Sequence, residues 1–246
     1  SLFTPLIANT GNWFKTGAGL AIGIASAGQA LGQGAVPFGI AILISNMGWR
    51  DALMTMGMIT LAVLIPLAIL IRQPPKTPQQ INPGADTTDD QSPVPLPANA
   101  VVAWLGLAVL FCCICMSVPL MHLLPLIHDR GFSLEEAGSV VFVMMVVAIL
   151  GRVAFGKLAD MIGAIRAYWI ASCWQTVMVF GFIQIESLDS FYIYAVIYGF
   201  GYAGVMTGVL ICVRVLTPLA RRASALGIVT LFGWLGHAIG GYQGGY

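Results

Sequence analysis

Charge is what this chain of 246 residues has least of: 9 % of them are Asp, Glu, Lys or Arg, against about a quarter in soluble domains, while 58 % are apolar. Mean hydropathy is +0.88, more apolar surface than a soluble core of this size can hide. A soluble fold is thereby excluded. The formal net charge of +1 supplies no basic field for a phosphate backbone, which excludes a nucleic-acid partner. Cysteine is scarce too. The five thiols, Cys112, Cys113, Cys115, Cys173 and Cys212, all lie in apolar runs without the loop spacing of a zinc site or a disulfide framework, and read as buried reduced thiols. The sequence also lacks a GxxxxGK[ST] phosphate loop, an HExxH helix, a GxSxG elbow and any Cys/His metal cluster. Those absences argue against nucleotide-driven pumping and against hydrolase chemistry, and no cofactor or metal is expected. The apolar runs are too long and continuous for the alternating strands of a β-barrel.

What the chain does have is a series of apolar segments close to the twenty or so residues that a hydrocarbon layer of roughly 30 Å requires of a helix. They fall at residues 17–45, 52–71, 98–127, 137–155, 167–185, 191–213 and 224–246. An all-α, polytopic transmembrane bundle of about seven complete or nearly complete spans follows, with the lipid bilayer as its solvent. Residues 1–10 read as the tail of another span, and Trp13, Phe14 and Lys15 as an aromatic and basic boundary at a headgroup layer. The run from residue 17 carries small residues four apart, at Gly19 and Gly23, Ala21 and Ala25, Gly28 and Gly32, a face that lets two helices pack with backbones close. Pro37 is expected to bend that helix. Ser133 and Glu136 have the spacing of a helix capping box.

Residues 72–97 break the apolar pattern, with seven of the thirteen prolines and Asp86, Asp89 and Asp90. Such a composition cannot bury a core and marks the best boundary in the chain. Residues 151–166, GRVAFGKLADMIGAIR, gather Arg152, Lys157, Asp160 and Arg166 between two apolar runs and read as a membrane-surface turn. The spacing Gly156-x3-Asp160-x2-Gly163-x2-Arg166 suits a tight connection between antiparallel spans, with an acid available to a helix N-terminus or a neighbouring cation.

That spacing resembles the loop signature of the major facilitator superfamily, with Met161 where the family has a basic residue. WFKTGAGLAIGIASAG, with Trp13, Phe14, Lys15, Leu20, Ala21, Gly23, Ala25, Ala27 and Gly28, is similar to the entry into the fifth helix of the monocarboxylate and oxalate/formate transporters of that superfamily. The resemblance implies a partial major facilitator fold: residues 1–71 as the end of the N-terminal helical half, helices four to six; 72–97 as the cytoplasmic linker; and 98–246 as the C-terminal half, helices seven to eleven, truncated. The chain is thus expected to be an internal fragment of a longer multi-pass protein of the plasma (inner) membrane. Alternating the turns across the bilayer places nine of the eleven Lys and Arg residues on one side, leaving Arg50 and Arg130 on the other. The positive-inside rule makes the nine-residue side cytoplasmic, the same side for the linker and for the turn at 151–166.

Arg152 is the most informative side chain. A helix starting near Glu136 carries it about 24 Å along at 1.5 Å per residue, past the midplane. It either snorkels to the inner headgroups or faces a central cavity and binds an anion. The resemblance implies the second role, because monocarboxylate transporters carry a substrate-binding arginine here; their aspartate one turn earlier is Ala148 in this chain. The resemblance further implies, from the oxalate transporters, a lysine in the eleventh helix that pairs with this arginine; residues 224–246 hold no Lys or Arg, so a monoanion site is expected over a dicarboxylate site with two cations. His122, between Pro119 and Pro125, faces a cavity or bonds a carbonyl freed by Pro125. Gln29, Tyr198, Tyr202, Trp174 and Gln175 are candidate lining residues, of which Gln29 and Tyr198 join Arg152 and His122 in the expected substrate site. Gly156, Asp160, Gly163 and Arg166 form the expected gating loop, with Asp160 paired to Arg221 or Arg222. The function implied is secondary transport of a small organic anion of monocarboxylate type, with a proton or counter-anion as coupling partner. Transport of another small solute, or a sensor on the same scaffold, is the alternative. A membrane-embedded enzyme would need clustered acids, bases or ligands at one depth, and the spans do not supply them.

Overall fold

The computed structural model describes residues 3–14, 16–70, 96–218 and 221–245. Among these every regular element is helical: α1 (Phe3–Trp13), α2 (Ala18–Met47), α3 (Trp49–Leu70), α4 (Ala98–Asp129), α5 (Leu134–Ile162), α6 (Ala164–Val179), a 3-10 turn (Phe182–Gln184), α7 (Leu188–Leu216) and α8 (Arg222–Gln243). Five of them, α3, α4, α5, α7 and α8, are long and apolar enough to cross a bilayer. α2 has 30 residues, about 45 Å of helix. The span expected over 167–185 is α6 continued by the 3-10 turn. The expected linker, apart from Leu96 and Pro97, lies outside the described residues, as does Lys15.

Local signals decide where the helices begin and end. The capping box forms at α5: Glu136 N–H donates to Ser133 Oγ at 3.2 Å, and Ser133 N–H donates to Glu136 Oε2 at 2.8 Å. A single residue, Gly163, separates α5 from α6. Its φ of +94° lies where side chains are strained, and it ends one helix by donating to Ala159 O at 3.0 Å while starting the next. The turn expected over 151–166 shrinks to Gly163 alone: residues 151–162 are the last three turns of α5, and Arg152 and Gly156 are buried in it rather than at a surface turn.

α7 is the centre of the bundle, buried along most of its length, with α5 against one side and α6 against another. Glycines on α7 make that approach possible: a Cβ on Gly199 would sit 2.5 Å from Met144 O of α5, and one on Gly208 would sit 3.1 Å from Tyr168 Cα of α6. Without a hydrophobic force between helices in lipid, such backbone-close packing is what holds spans together. α4 pairs with α8, and α2 with α5. α3 packs on α2, with Ala52 its one buried residue among those described, and most of its remaining apolar surface is exposed.

Candidate functional site

A cavity of about 1000 Å³ lies among α2, α4, α5, α7 and α8. Along α5 its lining runs from Leu134 and Glu135 at the helix start to Arg152, 17 residues or about 25 Å further on, and stops there. Arg152 is 1 % exposed, the largest fully buried side chain among the described residues. Its Nη1 donates to Gln29 Oε1 of α2 at 3.2 Å, and its Nε has no hydrogen-bond partner among the described residues. Tyr202 of α7 lines the same part of the cavity. No described carboxylate pairs with the guanidinium, and Ala148, one turn before it, is fully buried. A guanidinium has five donors, and leaving such a cation in a low-dielectric interior with one neutral partner is costly. The arrangement is chemically suited to accepting an anion from the cavity. The snorkelling alternative requires an exposed guanidinium, and this one is buried.

Beyond Arg152 the α2–α5 seam is shut. A Cβ on Gly23 would meet Arg152 O at 2.6 Å, and one on Gly19 would meet Gly156 O at 2.5 Å, so only glycine allows the two backbones to touch. The expected role of Gly19 and Gly23 in close packing holds, and Gly156 is their counterpart on α5. Gly28 and Gly32 face no described atom within contact distance of a Cβ. Asp160 accepts from Gly19 N–H through Oδ1 and from Leu20 N–H through Oδ2, both at 2.9 Å. It satisfies two of the free donors at the N-terminus of α2, the positive end of that helix. Arg214 of α7 does the complementary thing at α1: Nε donates to Gly11 O at 3.1 Å and Nη2 to Phe14 O at 2.9 Å, a cation at the carbonyl end of a helix. One acid and one base thus hold both sides of the α1–α2 turn.

Several expected pairings are not present. Asp160 does not pair with Arg221 or Arg222 among the described residues; Arg221 donates to Asn99 Oδ1 at 2.7 Å and Arg222 to Thr217 O at 3.2 Å. Asp160 faces the N-terminus of α2 instead, where two backbone donors converge. Tyr198 does not line the cavity: it is fully buried between Phe182, at 5.1 Å between ring centroids, and Tyr202, at 5.9 Å. His122 also lies off the cavity lining, with Nε2 2.8 Å from Gly241 O of α8 rather than from a carbonyl freed on its own helix. Trp174 and Gln175 are structural, donating to Ile197 O and Cys112 O. Arg166, Trp13 and Phe14 are exposed. The residues brought together are Arg152 and Gln29, joined by Tyr202, Gln33 and Met206, and, at the seam, Asp160 and Gly156 with Gly19 and Gly23. Gln33 lies one turn beyond Gln29, a spacing visible in the sequence; Arg214 gave no signal beyond its basic turn.

Membrane-length helices packed through glycine around a cavity with one buried arginine define a helical membrane protein with a cavity between its spans. The chain belongs to the Major Facilitator Superfamily, whose profile matches residues 1–241. It is similar to MFS-type transporter pynF of Aspergillus niger, 25 % identical over 222 residues that cover 88 % of this chain and 49 % of that protein. It is similar to monocarboxylate transporter 12 of Homo sapiens, 24 % identical over 64 % of this chain and 36 % of the relative. A third relative, the aspyridones efflux protein apdF of Emericella nidulans, is 26 % identical over 82 % of this chain and 40 % of its own. The chain spans about half or less of the length of these relatives. The family is one of transporters rather than enzymes, and it makes this an integral membrane protein.

Proposed function

We propose that the protein carries an organic anion of the monocarboxylate class across the plasma membrane by alternating access, with Arg152 as the anion's partner. Residues 1–71 belong to one helical half and 98–246 to the other, joined by 72–97 on the cytoplasmic side. The observation that carries the reading is the buried Arg152 guanidinium on the cavity lining, whose one hydrogen-bond partner among the described residues is the neutral side chain of Gln29. Arginine's planar fork can hold both oxygens of one carboxylate, and the guanidinium loses its unpaired state when it does. Asp160 and the glycine seam then act as the cytoplasmic gate, closed while the cavity is reached from the Glu135 end. A proton or counter-anion gradient supplies the energy.

The test is uptake by the full-length protein in proteoliposomes. Removing a charged hydrogen-bonded contact to a buried anion costs about 2–5 kcal/mol, roughly thirty-fold or more in affinity. Arg152→Ala is expected to lose at least that much, and Arg152→Lys to insert normally and transport weakly. Saturable monocarboxylate uptake by Arg152→Ala at wild-type affinity refutes the role.

A further inference from the structure

We infer that the anion this site takes is amphipathic, a single carboxylate seated at Arg152 with an apolar body of about six or more carbons lying along the cavity. The inference rests on the reading of Arg152 as the anion's partner and adds the class of molecule attached to the carboxylate. Arg152 is the one Lys or Arg among the described lining residues, and the one carboxylate, Glu135, lies about 25 Å away at the other end of the same stretch of α5. Most of the lining is apolar, with Met116 and Leu120 of α4, Met145 of α5, Met206 and Val209 of α7, and Leu226 of α8. Gln29 and Tyr202 stand beside Arg152, while Gln33, Ser139, Thr230 and His237 are further polar side chains of the lining. A cation flanked by Gln29 and Tyr202 on an otherwise mostly apolar lining forms a head-and-tail receptor.

Size points the same way. A volume of about 1000 Å³ lies at the top of the range, about 300–1,000 Å³, typical of cavities that enclose drug-sized ligands. An acid of two or three carbons would reach Arg152 and leave the apolar wall wet, gaining nothing from it. Each methylene buried against that wall multiplies affinity about fourfold. Methionine's unbranched, polarizable side chain adapts to differently shaped apolar bodies, so the tail is selected for hydrophobicity more than for outline. Arg152 being the one Lys or Arg among the described lining residues, the head carries one negative charge.

The test is calorimetric binding of acetate, butyrate, hexanoate and octanoate to the full-length protein in lipid nanodiscs, with empty nanodiscs subtracted and octan-1-ol as the neutral control. Affinity is expected to rise at least tenfold for every two carbons from butyrate to octanoate. Octan-1-ol is expected to bind at least tenfold more weakly than octanoate, and Arg152→Ala to erase that difference. If acetate and butyrate bind in an Arg152-dependent way and octanoate binds no tighter, the amphipathic class is wrong while the anion site stands. If affinity rises with chain length but ignores Arg152, or no member of the series binds, the anion site itself fails and the inference with it.

Discussion

The two ends of the α2–α5 seam are built from different materials. At the Asp160 end the contact is backbone on backbone, allowed by Gly19, Gly23 and Gly156 and fixed by a carboxylate and a guanidinium on helix ends. Around Arg152 and toward Glu135 it is side chain on side chain: Gln29 against Arg152 and the open lining beyond. Backbone contact through glycine has two settings, touching or apart, because nothing flexible fills an intermediate gap. Side chains that line a cavity can instead repack around a guest. The difference is the ground for proposing the first end as the gate and the second as the binding site.

The largest break in that comparison is expected from Gly23→Leu. Its side chain would be driven into the backbone at Arg152, so the seam should not close. Transport is expected to fall at least tenfold, and a cysteine placed at Ser26, fully buried against Thr207, should become reactive to a cytoplasmic thiol reagent; an unreactive Ser26→Cys in that background contradicts the gate.

Next in size is Asp160→Asn. Exchanging a carboxylate that accepts from two backbone donors for an amide weakens the hold on α2 by about 1 kcal/mol, enough to move a balanced two-state equilibrium about fivefold. Cytoplasmic accessibility should rise by that factor, and no change in either accessibility or transport rate removes Asp160 from the gate. Arg214→Gln keeps some hydrogen bonding to Gly11 and Phe14 and should shift the same equilibrium in the same direction by a smaller factor, about twofold. A shift in the opposite direction would break the pairing of the two charges as one latch.

The smallest perturbation tests sidedness alone. In a background lacking the native cysteines, single cysteines at Met161, an exposed residue beside Asp160, and at Ser133 should label from opposite faces of the membrane. Labelling of both by an impermeant reagent from outside contradicts the topology.

Much of the architecture was legible because membrane spans announce themselves by length and hydropathy, and because turn chemistry is local. The Ser133–Glu136 box and the Gly163 turn both need only neighbours in sequence. Arg152 was legible as the lone cation well inside a span, where burial without a role is expensive. Long-range partners were not. Asp160 meets Gly19 and Leu20 across 140 residues of chain, through backbone donors that any sequence possesses, so a pairing with Arg221 or Arg222 was the natural expectation and the helix end took its place. Tyr198 and Tyr202 are one helical turn apart and chemically identical. What separates them is Phe182, which packs on Tyr198 and leaves Tyr202 to the cavity.

The central claim is that the two ends of the seam open alternately. It is tested most directly by pulsed electron spin distance measurements on the full-length protein in nanodiscs, with one label pair at Thr16 and Met161 across the closed end and another at Val36 and Leu134 across the cavity end. All four positions are exposed. Adding octanoate should lengthen the first distance and shorten the second in a growing fraction of molecules, the two fractions rising together. Distances that stay fixed, or that lengthen at both ends at once, contradict it.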